Sequence, residues 1–353
     1  MLNKEEHIQY SRHLLLDEIG IIGQEKLKKA KILVIGAGGL GCPILQYLTA
    51  AGIGSIGVID DDVVDQTNLQ RQILYTVDDI GKSKAKTAVE KLSKLNPYVF
   101  FKVYDEKLDN DNALDLFLEY DIIVDGSDNF PTRYLVNDAC VLADKPLVFG
   151  SIFKFQGQVS VLNYEDGPTY RCLFPDPPAP NAVPNCSDIG VLGVLPGIVG
   201  SLQANEVIKM VTGVGEVLRG KLLYFDALSL QQQILTFKKN NDIQVNHLEV
   251  DYEFFCGIDT HVIIEISAVE LKKNFEKYQV LDVRSIEEIK EFSIDSIHIP
   301  LDKLQVRVEE LSALKPIVVC CKSGLRSKKA IQIIKEQRDD LDLINLKNGL
   351  STY

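Results

Sequence analysis

The sequence has no apolar run that approaches the roughly 18 residues of a membrane-spanning helix. Its first residues, MLNKEEHIQYSRH, lack the apolar stretch of a secretory signal peptide. Internal repeats and low-complexity tracts are also missing. The lack of a membrane-spanning run and of a signal peptide argues against a membrane or secreted protein, and we expect a cytoplasmic chain.

Positive charge is in the minority, with 38 Lys and Arg against 50 Asp and Glu and a net charge of −12. This balance argues against a protein that coats nucleic acid, although it allows a local basic pocket for a nucleotide. Seven cysteines, an odd number scattered over a long chain, indicate reduced thiols rather than a disulfide framework.

The length of 353 residues exceeds what one hydrophobic core usually serves and predicts two domains. KILVI, the glycine cluster GAGGLG, a helical stretch ending at Gly52 and SIGVIDDD form a βαβ pattern. We therefore expect an α/β fold, a Rossmann-like doubly wound sheet extended by mixed or antiparallel strands and followed by a small α/β domain. The predicted bounds are 1–248 for the first domain, 249–261 for a linker and 262–353 for the second domain.

Further apolar runs fit the same plan, namely FFKVY, DIIVDGSDN and PLVFGS. After residue 151, GQVSVLNY alternates like a strand in a mixed sheet, and KLLYFDALSLQQQILTF predicts two strands. Between them, CLFPDPPAPNAVPN contains five prolines. Proline disrupts helices and sheets, so we predict an extended crossover loop there.

A glycine-rich loop follows the first strand. Gly36, Gly38, Gly39 and Gly41 fit the G-x-G-x-x-G pattern, and Asp60 follows the next strand. Glycines let backbone amides approach phosphate at the positive end of a helix, and the carboxylate can bind ribose hydroxyls. Taken alone, this motif predicts a dinucleotide, with NAD as the default ligand.

The residues beyond Asp60 favour a triphosphate over NAD. Polar and basic side chains gather there, namely Asn68, Arg71, Gln72, Lys82 and Lys84. Cations beside a phosphate loop suit ATP, because a leaving pyrophosphate needs charge neutralisation. Asp128, in the turn after DIIVD, is a candidate ligand of Mg²⁺, which binds one or two carboxylates together with phosphate oxygens.

Seven motifs resemble, in order and spacing, the ThiF/MoeB/HesA family of ubiquitin-activating-like adenylyltransferases over roughly residues 5–240. They are YSRHLLL, GAGGLGCP, DDDVVDQTNLQRQ, GKSKA, DGSDN with T-R following, GSIFKFQGQV and SLQANEVIKM. The resemblance implies ATP and Mg²⁺ as cofactors. It also implies that a ubiquitin-like sulfur carrier is the substrate, its C-terminal glycine carboxylate attacking the α-phosphorus to give an acyl adenylate and pyrophosphate.

The resemblance assigns roles to matching residues. Asp60 would bind the ribose, and Asp128 would bind the metal. The matching phosphate ligands are Asn68, Arg71 and Lys84. Arg12, in YSRH, matches an arginine that reaches the phosphates from a partner subunit, which implies a homodimer with composite sites.

The proline-rich loop could clamp the carrier's extended Gly-Gly tail, because only glycine passes a narrow channel close to the nucleotide. Cys186 lies on this loop. A cysteine at the matching position takes part in sulfur chemistry in some family members and is dispensable in others. A sulfur-transfer role and a structural role for Cys186 therefore both stay open.

One feature departs from the family. Many members bind a structural zinc through two C-x2-C pairs, and structural zinc normally has four such ligands. Here Cys172 and Cys256 occupy the second position of each pair, but Thr169 and Glu253 replace the leading cysteines. We predict no four-cysteine zinc site, and we expect both remaining thiols to be small buried apolar groups.

Near the other end, VLDVRS, IHIP and VVCCKSGLRS resemble a rhodanese domain over about residues 262–353. In such a loop, backbone amides and a positive charge stabilise a thiolate or persulfide. Counted from Cys320 the loop has phosphatase spacing, whereas counted from Cys321 it has sulfur-transfer spacing. The position of Gly324 favours Cys321 as the nucleophile. We expect Lys322 and Arg326 to supply positive charge and Cys320 to be buried.

The two halves together predict a chain that adenylates a sulfur carrier and then delivers sulfur to it from a persulfide on Cys321. A cysteine desulfurase would charge that persulfide. The carrier could be the molybdopterin-synthase small subunit or a thiazole-pathway protein. Other interpretations remain open, namely activation of another ubiquitin-like or tRNA-thiolation protein, an NAD-dependent oxidoreductase and a non-catalytic binding module.

Overall fold

The computed structural model describes residues 1–178, 190–257 and 263–353. The chain divides into two compact units, Met1–Gly257 and Ile258–Tyr353. No helix within the described ranges is both long and apolar enough to cross a bilayer. Residues 179–185 of the predicted proline-rich crossover loop, together with Cys186, lie outside the described residues. Its first two residues, Cys172 and Leu173, end the helix Tyr170–Leu173 and are not extended as predicted.

The first unit contains one eight-stranded sheet. Its strands are β1 Lys31–Ile35, β2 Ser55–Ile59, β3 Phe100–Tyr104, β4 Ile122–Asp125, β5 Leu147–Phe153, β6 Gln156–Leu162, β7 Lys221–Asp226 and β8 Gln232–Thr236. Their order is β3-β2-β1-β4-β5-β6-β7-β8. The first five strands pair in parallel, and the later neighbours pair antiparallel. The predicted fold class is confirmed.

Helices cover both faces of this sheet. In the described part of the unit they are α1 Lys4–Gln9, α2 Ser11–Leu14, α3 Gly20–Lys29, α4 Gly41–Ala51, α5 Lys84–Leu95, α6 Ala113–Leu118, α7 Phe130–Leu142, α8 Tyr170–Leu173, α9 Leu195–Thr212 and α10 Tyr252–Phe255. Successive residues of β1 face opposite cores. Ile32 packs in the cluster that contains Leu48 of α4, whereas Leu33 packs with Tyr134 of α7. As predicted, α4 ends at Gly52, whose φ of 82° favours glycine.

The short helix α10 lies inside the range that the sequence predicted as linker. Tyr252 donates a hydrogen bond through its hydroxyl to the Asp138 carboxylate on α7 at 2.7 Å. Arg171 of α8 holds the same carboxylate with two bonds of 2.6 and 2.7 Å. This buried network attaches the 252–255 segment to the first unit, a contact that the irregular polar sequence around it does not reveal.

The second unit is a smaller α/β structure. Its strands are β9 Ile264–Ile266, β10 Gln279–Asp282, β11 Ile297–His298, β12 Ile317–Cys320 and β13 Leu343–Leu346. All pairings are parallel, in the order β11-β10-β12-β13-β9. Its helices are α11 Ala268–Lys273, α12 Ile286–Glu291, α13 Leu301–Arg307 and α14 Leu325–Gln337. The cysteine loop therefore begins at the carboxyl end of the central strand, where α/β sheets carry their sites.

Candidate functional sites

The glycine-rich loop joins β1 to the N-terminus of α4. Gly36 has a φ of +84°, and a Cβ on Gly41 would lie 2.0 Å from the Gly36 carbonyl oxygen. On the other side, the Gly126 amide donates to the Ile35 carbonyl at 2.8 Å. The first amides of a helix have no intrahelical acceptor, so this tight loop presents N–H donors and the positive end of an eleven-residue helix.

A cavity of about 260 Å³ opens beside the loop. The predicted residues that line it are Gly36, Gly38, Gly39, Asp60, Arg71, Gln72, Lys84 and Asp128. Gly41, Asn68 and Lys82 are not in its lining. The Asn68 side chain instead accepts a hydrogen bond from the Asp65 amide at 3.1 Å. Arg12 is exposed on α2 and does not line the cavity of its own chain.

Asp60 connects the end of β2 to the glycine loop. Its carboxylate accepts hydrogen bonds from the Ala37 amide at 2.7 Å and the Asp62 amide at 2.9 Å. Burial raises the pKa of Asp60, and these amides and Lys84 oppose that rise. Each carboxylate oxygen has two acceptor sites, so one on each oxygen is left for a ribose hydroxyl.

Two of the three predicted phosphate ligands, Lys84 and Arg71, are held on the cavity wall by acceptors of this chain. Lys84 begins α5 and is buried, and its ammonium group lies 2.8 Å from the Asp62 carboxylate. Arg71 donates to the Thr67 carbonyl at 3.1 Å. The role of Asp62 could not be predicted, because nothing in a run of three aspartates indicates which one contacts the lysine. A phosphate entering the cavity would compete for these cations.

Asp128 lies exposed in the turn between β4 and α7. Nearby, the Ser127 hydroxyl and the Gln72 amide oxygen are buried and have no hydrogen-bond partner among the described residues. Within the same ranges no group of three or more His, Cys, Asp or Glu side chains could hold a metal. Mg²⁺ typically takes one or two protein carboxylates and completes its shell with phosphate and water oxygens. This set of oxygens therefore fits Mg²⁺ that arrives with ATP.

Two buried residues, Tyr75 close to the glycine loop and Asp125 close to Ser127, were not predicted as site residues. The Tyr75 hydroxyl donates to the Ala37 carbonyl at 2.8 Å and so supports the glycine loop. Asp125 is fully buried, accepts from the Ser127 amide at 2.8 Å and lies 3.9 Å from the Arg133 guanidinium. An acidic residue that ends an apolar strand, as in DIIVD, is the signal that could have identified Asp125.

A second cavity of about 460 Å³ adjoins the first and shares Ser127, Asp128, Asn129 and Ile152 with it. Its walls are rich in aromatic side chains, namely Phe130, Tyr134, Phe149, Phe153, Tyr170, Phe174 and Tyr224. A mostly apolar trough that opens beside a phosphate site can accept an extended peptide segment with small or apolar side chains.

Cys172 and Cys256 are free thiols with contacts inside the first unit, and the expectation that both are buried is correct for Cys256 but wrong for Cys172, which is half-buried. The Cys172 sulfur lies 3.4 Å from the Thr169 hydroxyl and accepts a 3.4 Å hydrogen bond from the Asn240 amide. Cys256 is buried, and burial raises the pKa of its thiol to about 12. The absence of a four-cysteine zinc site stays a prediction.

In the second unit, the loop after β12 curls around the sulfur of Cys321. This sulfur accepts hydrogen bonds from the Gly324 amide at 3.2 Å and the Ser327 amide at 3.4 Å, and the Ser327 hydroxyl lies 3.4 Å away. Gly324 has a φ of +92°, which favours glycine and permits the turn. Donors that converge on one sulfur stabilise a thiolate or a persulfide.

Cys320 ends β12 and packs in a different core cluster from Cys321. Burial raises the pKa of the Cys320 thiol, and the Asp282 carboxylate raises it further. Asp282 is itself held by two hydrogen-bonding groups of Arg284, at 3.0 and 2.7 Å, below the loop. The geometry therefore favours Cys321 as the nucleophile.

The charged residues of this loop differ in their surroundings. Lys322 is exposed. Arg326 makes two parallel hydrogen bonds of 2.6 Å to Glu288 on α12. Arg326 was predicted to supply positive charge to the Cys321 loop. Its partner Glu288 was not predicted, since it lies 38 residues away in the chain.

Comparison with known proteins gives consistent matches for both units. Residues 10–245 match the ThiF family, and residues 267–353 match the rhodanese-like domain. The chain is 42% identical over its whole length to a probable adenylyltransferase/sulfurtransferase, MoeZ, of Mycobacterium tuberculosis, covering 94% of that protein. It is 51% identical to the sulfur carrier protein adenylyltransferase of Thermus thermophilus, over 72% of this chain and 98% of the relative.

The adenylyltransferase and sulfurtransferase MOCS3 of Xenopus laevis is 41% identical over 98% of this chain and 85% of that protein. Among solved structures, Escherichia coli MccB with ATP superposes with a TM-score of 0.60 at 24% identity, over 69% of this chain and 75% of that chain. At that identity the superposition supports the fold of the first unit. The three sequence relatives named here carry transferase names, and none is named as an oxidoreductase.

Proposed function

Because this chain belongs to the ThiF family and carries a rhodanese-like domain, we propose that it activates a ubiquitin-like sulfur carrier and supplies sulfur to it. The chain is an adenylyltransferase with sulfurtransferase activity. The relatives that it matches over most of their length carry these two activities in their names. The observation that carries the proposal is the single cavity in which the glycine loop, two cations and an exposed carboxylate meet.

The first reaction joins the carrier to AMP. A glycine carboxylate oxygen of the carrier bonds to the α-phosphorus of ATP, and the bond to pyrophosphate breaks. Arg71 and Lys84 neutralise the phosphates, and Asp60 orients the ribose. Asp128, with Ser127 beside it, would hold Mg²⁺, which supplies further neutralisation of the pyrophosphate. The aromatic cavity that shares Asp128 is where we place the carrier tail.

The second reaction uses Cys321. A persulfide on this residue attacks the acyl carbon of the adenylate, AMP leaves, and the carrier is joined to Cys321 through an acyl disulfide. A second thiol then attacks the Cys321 sulfur, which releases the carrier thiocarboxylate and leaves a disulfide. Cys186 stays a candidate for a part in this sulfur chemistry, with a structural role as the alternative. The amides that surround the Cys321 sulfur support the proposal, because they stabilise the anionic sulfur that reacts.

We infer the partners from the same scheme. A cysteine desulfurase would charge Cys321 with sulfane sulfur. Arg12 is exposed and lies outside the cavity of its own chain, which fits a homodimer in which it serves the partner's site. The described cysteines are free thiols, which suits the reducing cytoplasm. Among carriers we propose the molybdopterin-synthase small subunit or a thiazole-pathway protein, with another ubiquitin-like or tRNA-thiolation protein as the alternative.

Replacing Asp128 tests the first reaction. We expect Asp128→Ala to abolish carrier-dependent ATP–pyrophosphate exchange, whereas Asp111→Ala, which removes an exposed carboxylate outside the cavity lining, should leave it intact. Exchange that persists in Asp128→Ala would contradict the assignment. Tight carrier binding without any pyrophosphate release by the native chain would instead indicate a binding module.

Replacing Cys321 tests the second reaction. Cys321→Ser should retain ATP–pyrophosphate exchange and lose the transfer of sulfur from thiosulfate to cyanide. Mass spectrometry of the carrier after incubation with ATP and a sulfur donor should show a gain of 16 mass units per thiocarboxylate, about the difference between sulfur and oxygen. A carrier whose mass stays unchanged with the native chain would refute the sulfur-transfer half.

A further inference from the structure

Glu288 lies at the edge of the sulfur-carrying loop although it belongs to a different helix. It is the third residue of α12, and its carboxylate accepts a hydrogen bond from the Ser285 amide at 3.1 Å in a capping box. Both of its oxygens also bind Arg326 at 2.6 Å. The carboxylate is therefore fixed from two sides, and it holds the guanidinium in one orientation.

This pair changes the charge that the loop presents. Arg326 is the second residue of α14, five positions after Cys321, and its side chain is 39% exposed. The bidentate carboxylate compensates its positive charge. Lys328, in the next part of α14, is likewise paired with Glu265 at 3.3 Å. Acidic residues from outside the loop thus compensate cations beside the reactive sulfur, whereas Lys322 stays exposed.

We propose that Glu288 is a specificity-determining residue that selects the sulfur donor by charge. By compensating Arg326, it weakens the attraction of the loop for dianionic donors such as thiosulfate, relative to less charged sulfane donors such as a persulfide. Coulomb attraction is proportional to the charge of the donor, so a change of one unit charge beside the loop acts twice as strongly on a dianion as on a monoanion. The inference rests on the proposed sulfur transfer by Cys321.

The step at which selection occurs is the loading of Cys321. Its thiolate attacks the outer sulfur of thiosulfate, a sulfur–sulfur bond forms, and the bond to the sulfonate sulfur breaks with its electron pair on the departing sulfite. Methanethiosulfonate reacts in the same way and releases methanesulfinate. It resembles thiosulfate in shape and carries one negative charge less, so the two donors form a matched pair of probes.

The test compares both donors in the full-length native chain and in Glu288→Gln, with cyanide as acceptor and thiocyanate as the measured product. At low salt we expect kcat/KM to rise about tenfold for thiosulfate and about threefold for methanethiosulfonate, mainly through KM. The donor ratio, which is kcat/KM for thiosulfate divided by kcat/KM for methanethiosulfonate, therefore rises about threefold in Glu288→Gln. At 1 M salt the Debye length is about 3 Å, and this difference should shrink.

Two variants separate charge from structure. Glu288→Asp keeps the charge and should keep the donor ratio of the native chain. Glu310→Gln breaks another bidentate pair in the same unit, with Arg307 at 2.6 and 2.7 Å, and should leave the ratio unchanged. A Glu288→Gln ratio equal to the native ratio, or an equal loss with both donors, overturns the inference. A native chain that forms no thiocyanate from either donor overturns the proposed sulfur transfer and this inference with it.

Discussion

Replacing Gly41 by alanine tests whether the tight glycine loop is required for adenylation. A Cβ at this position would lie 2.0 Å from the Gly36 carbonyl oxygen and 2.8 Å from its carbonyl carbon. Favourable carbon contacts lie at about 3.5–4.0 Å. Both clashing atoms belong to the backbone, so no side chain can rotate away. The loop must open by roughly 1.5 Å.

This displacement should be visible in both stability and activity. One extra methyl group in a packed site typically costs about 1–3 kcal/mol, which lowers the unfolding midpoint of a domain of this size by about 5 °C. A shift of about 1 Å in a positioning element can reduce a rate about 100-fold. We therefore expect carrier-dependent ATP–pyrophosphate exchange to fall at least about 100-fold in Gly41→Ala.

Gly197→Ala is the matched control for this variant. Gly197 lies in α9, and a Cβ there meets no atom within 4 Å. Alanine is favoured over glycine inside helices by up to about 1 kcal/mol. This variant should therefore be at least as stable as the native chain and equally active. Native-like exchange in Gly41→Ala, or equal losses in both variants, would refute the argument from loop geometry.

Three further predictions concern other parts of the chain. Arg171→Met should destabilise the first unit by about 3–5 kcal/mol in urea unfolding, because it leaves the buried Asp138 carboxylate without its bidentate partner; an unchanged midpoint would contradict this. Cys320→Ala should keep thiosulfate:cyanide transfer while Cys321→Ala loses it, and the reverse pattern would make Cys320 the nucleophile. Arginine pairing lowers the pKa of Glu288 from its ordinary 4.5 to about 2. The stability that this pair contributes is thus present above pH 4.5 and lost as the pH falls towards 2. Unfolding followed by circular dichroism should therefore show a smaller loss of stability on acidification in Glu288→Gln than in the native chain.

Features with a local physical cause could be predicted from sequence. The parallel strands are short apolar runs. β1 and β3 begin and end where that pattern indicated, and β2 begins there but ends at Ile59, before the three aspartates of SIGVIDDD. The spacing of the glycines indicated the tight loop after β1. In the second unit, the position of Gly324 indicated which of the two thiols is surrounded by the loop after β12. Most of the predicted cavity residues follow such strands closely, and parallel topology brings strand ends to one edge of a sheet.

Other features depend on contacts that local sequence patterns do not reveal. Asn68 was predicted to bind phosphate, yet its side chain bonds the Asp65 amide and is not in the cavity lining. The helix at residues 252–255 lies in a range without a clear periodic pattern. Its position depends on Asp138, which is 114 residues away.

The sequence by itself determined the family, the two α/β units, the glycine-rich loop after the first strand and the cysteine loop of the second unit, because each of these depends on residues that are neighbours in the chain. Only the tertiary structure decided which charges meet. Lys84 pairs with Asp62 across 22 residues, Arg171 with Asp138 across 33 and Arg326 with Glu288 across 38. An ion pair depends on a few ångströms in space, and that distance is set by the packing of helices and strands rather than by spacing along the chain.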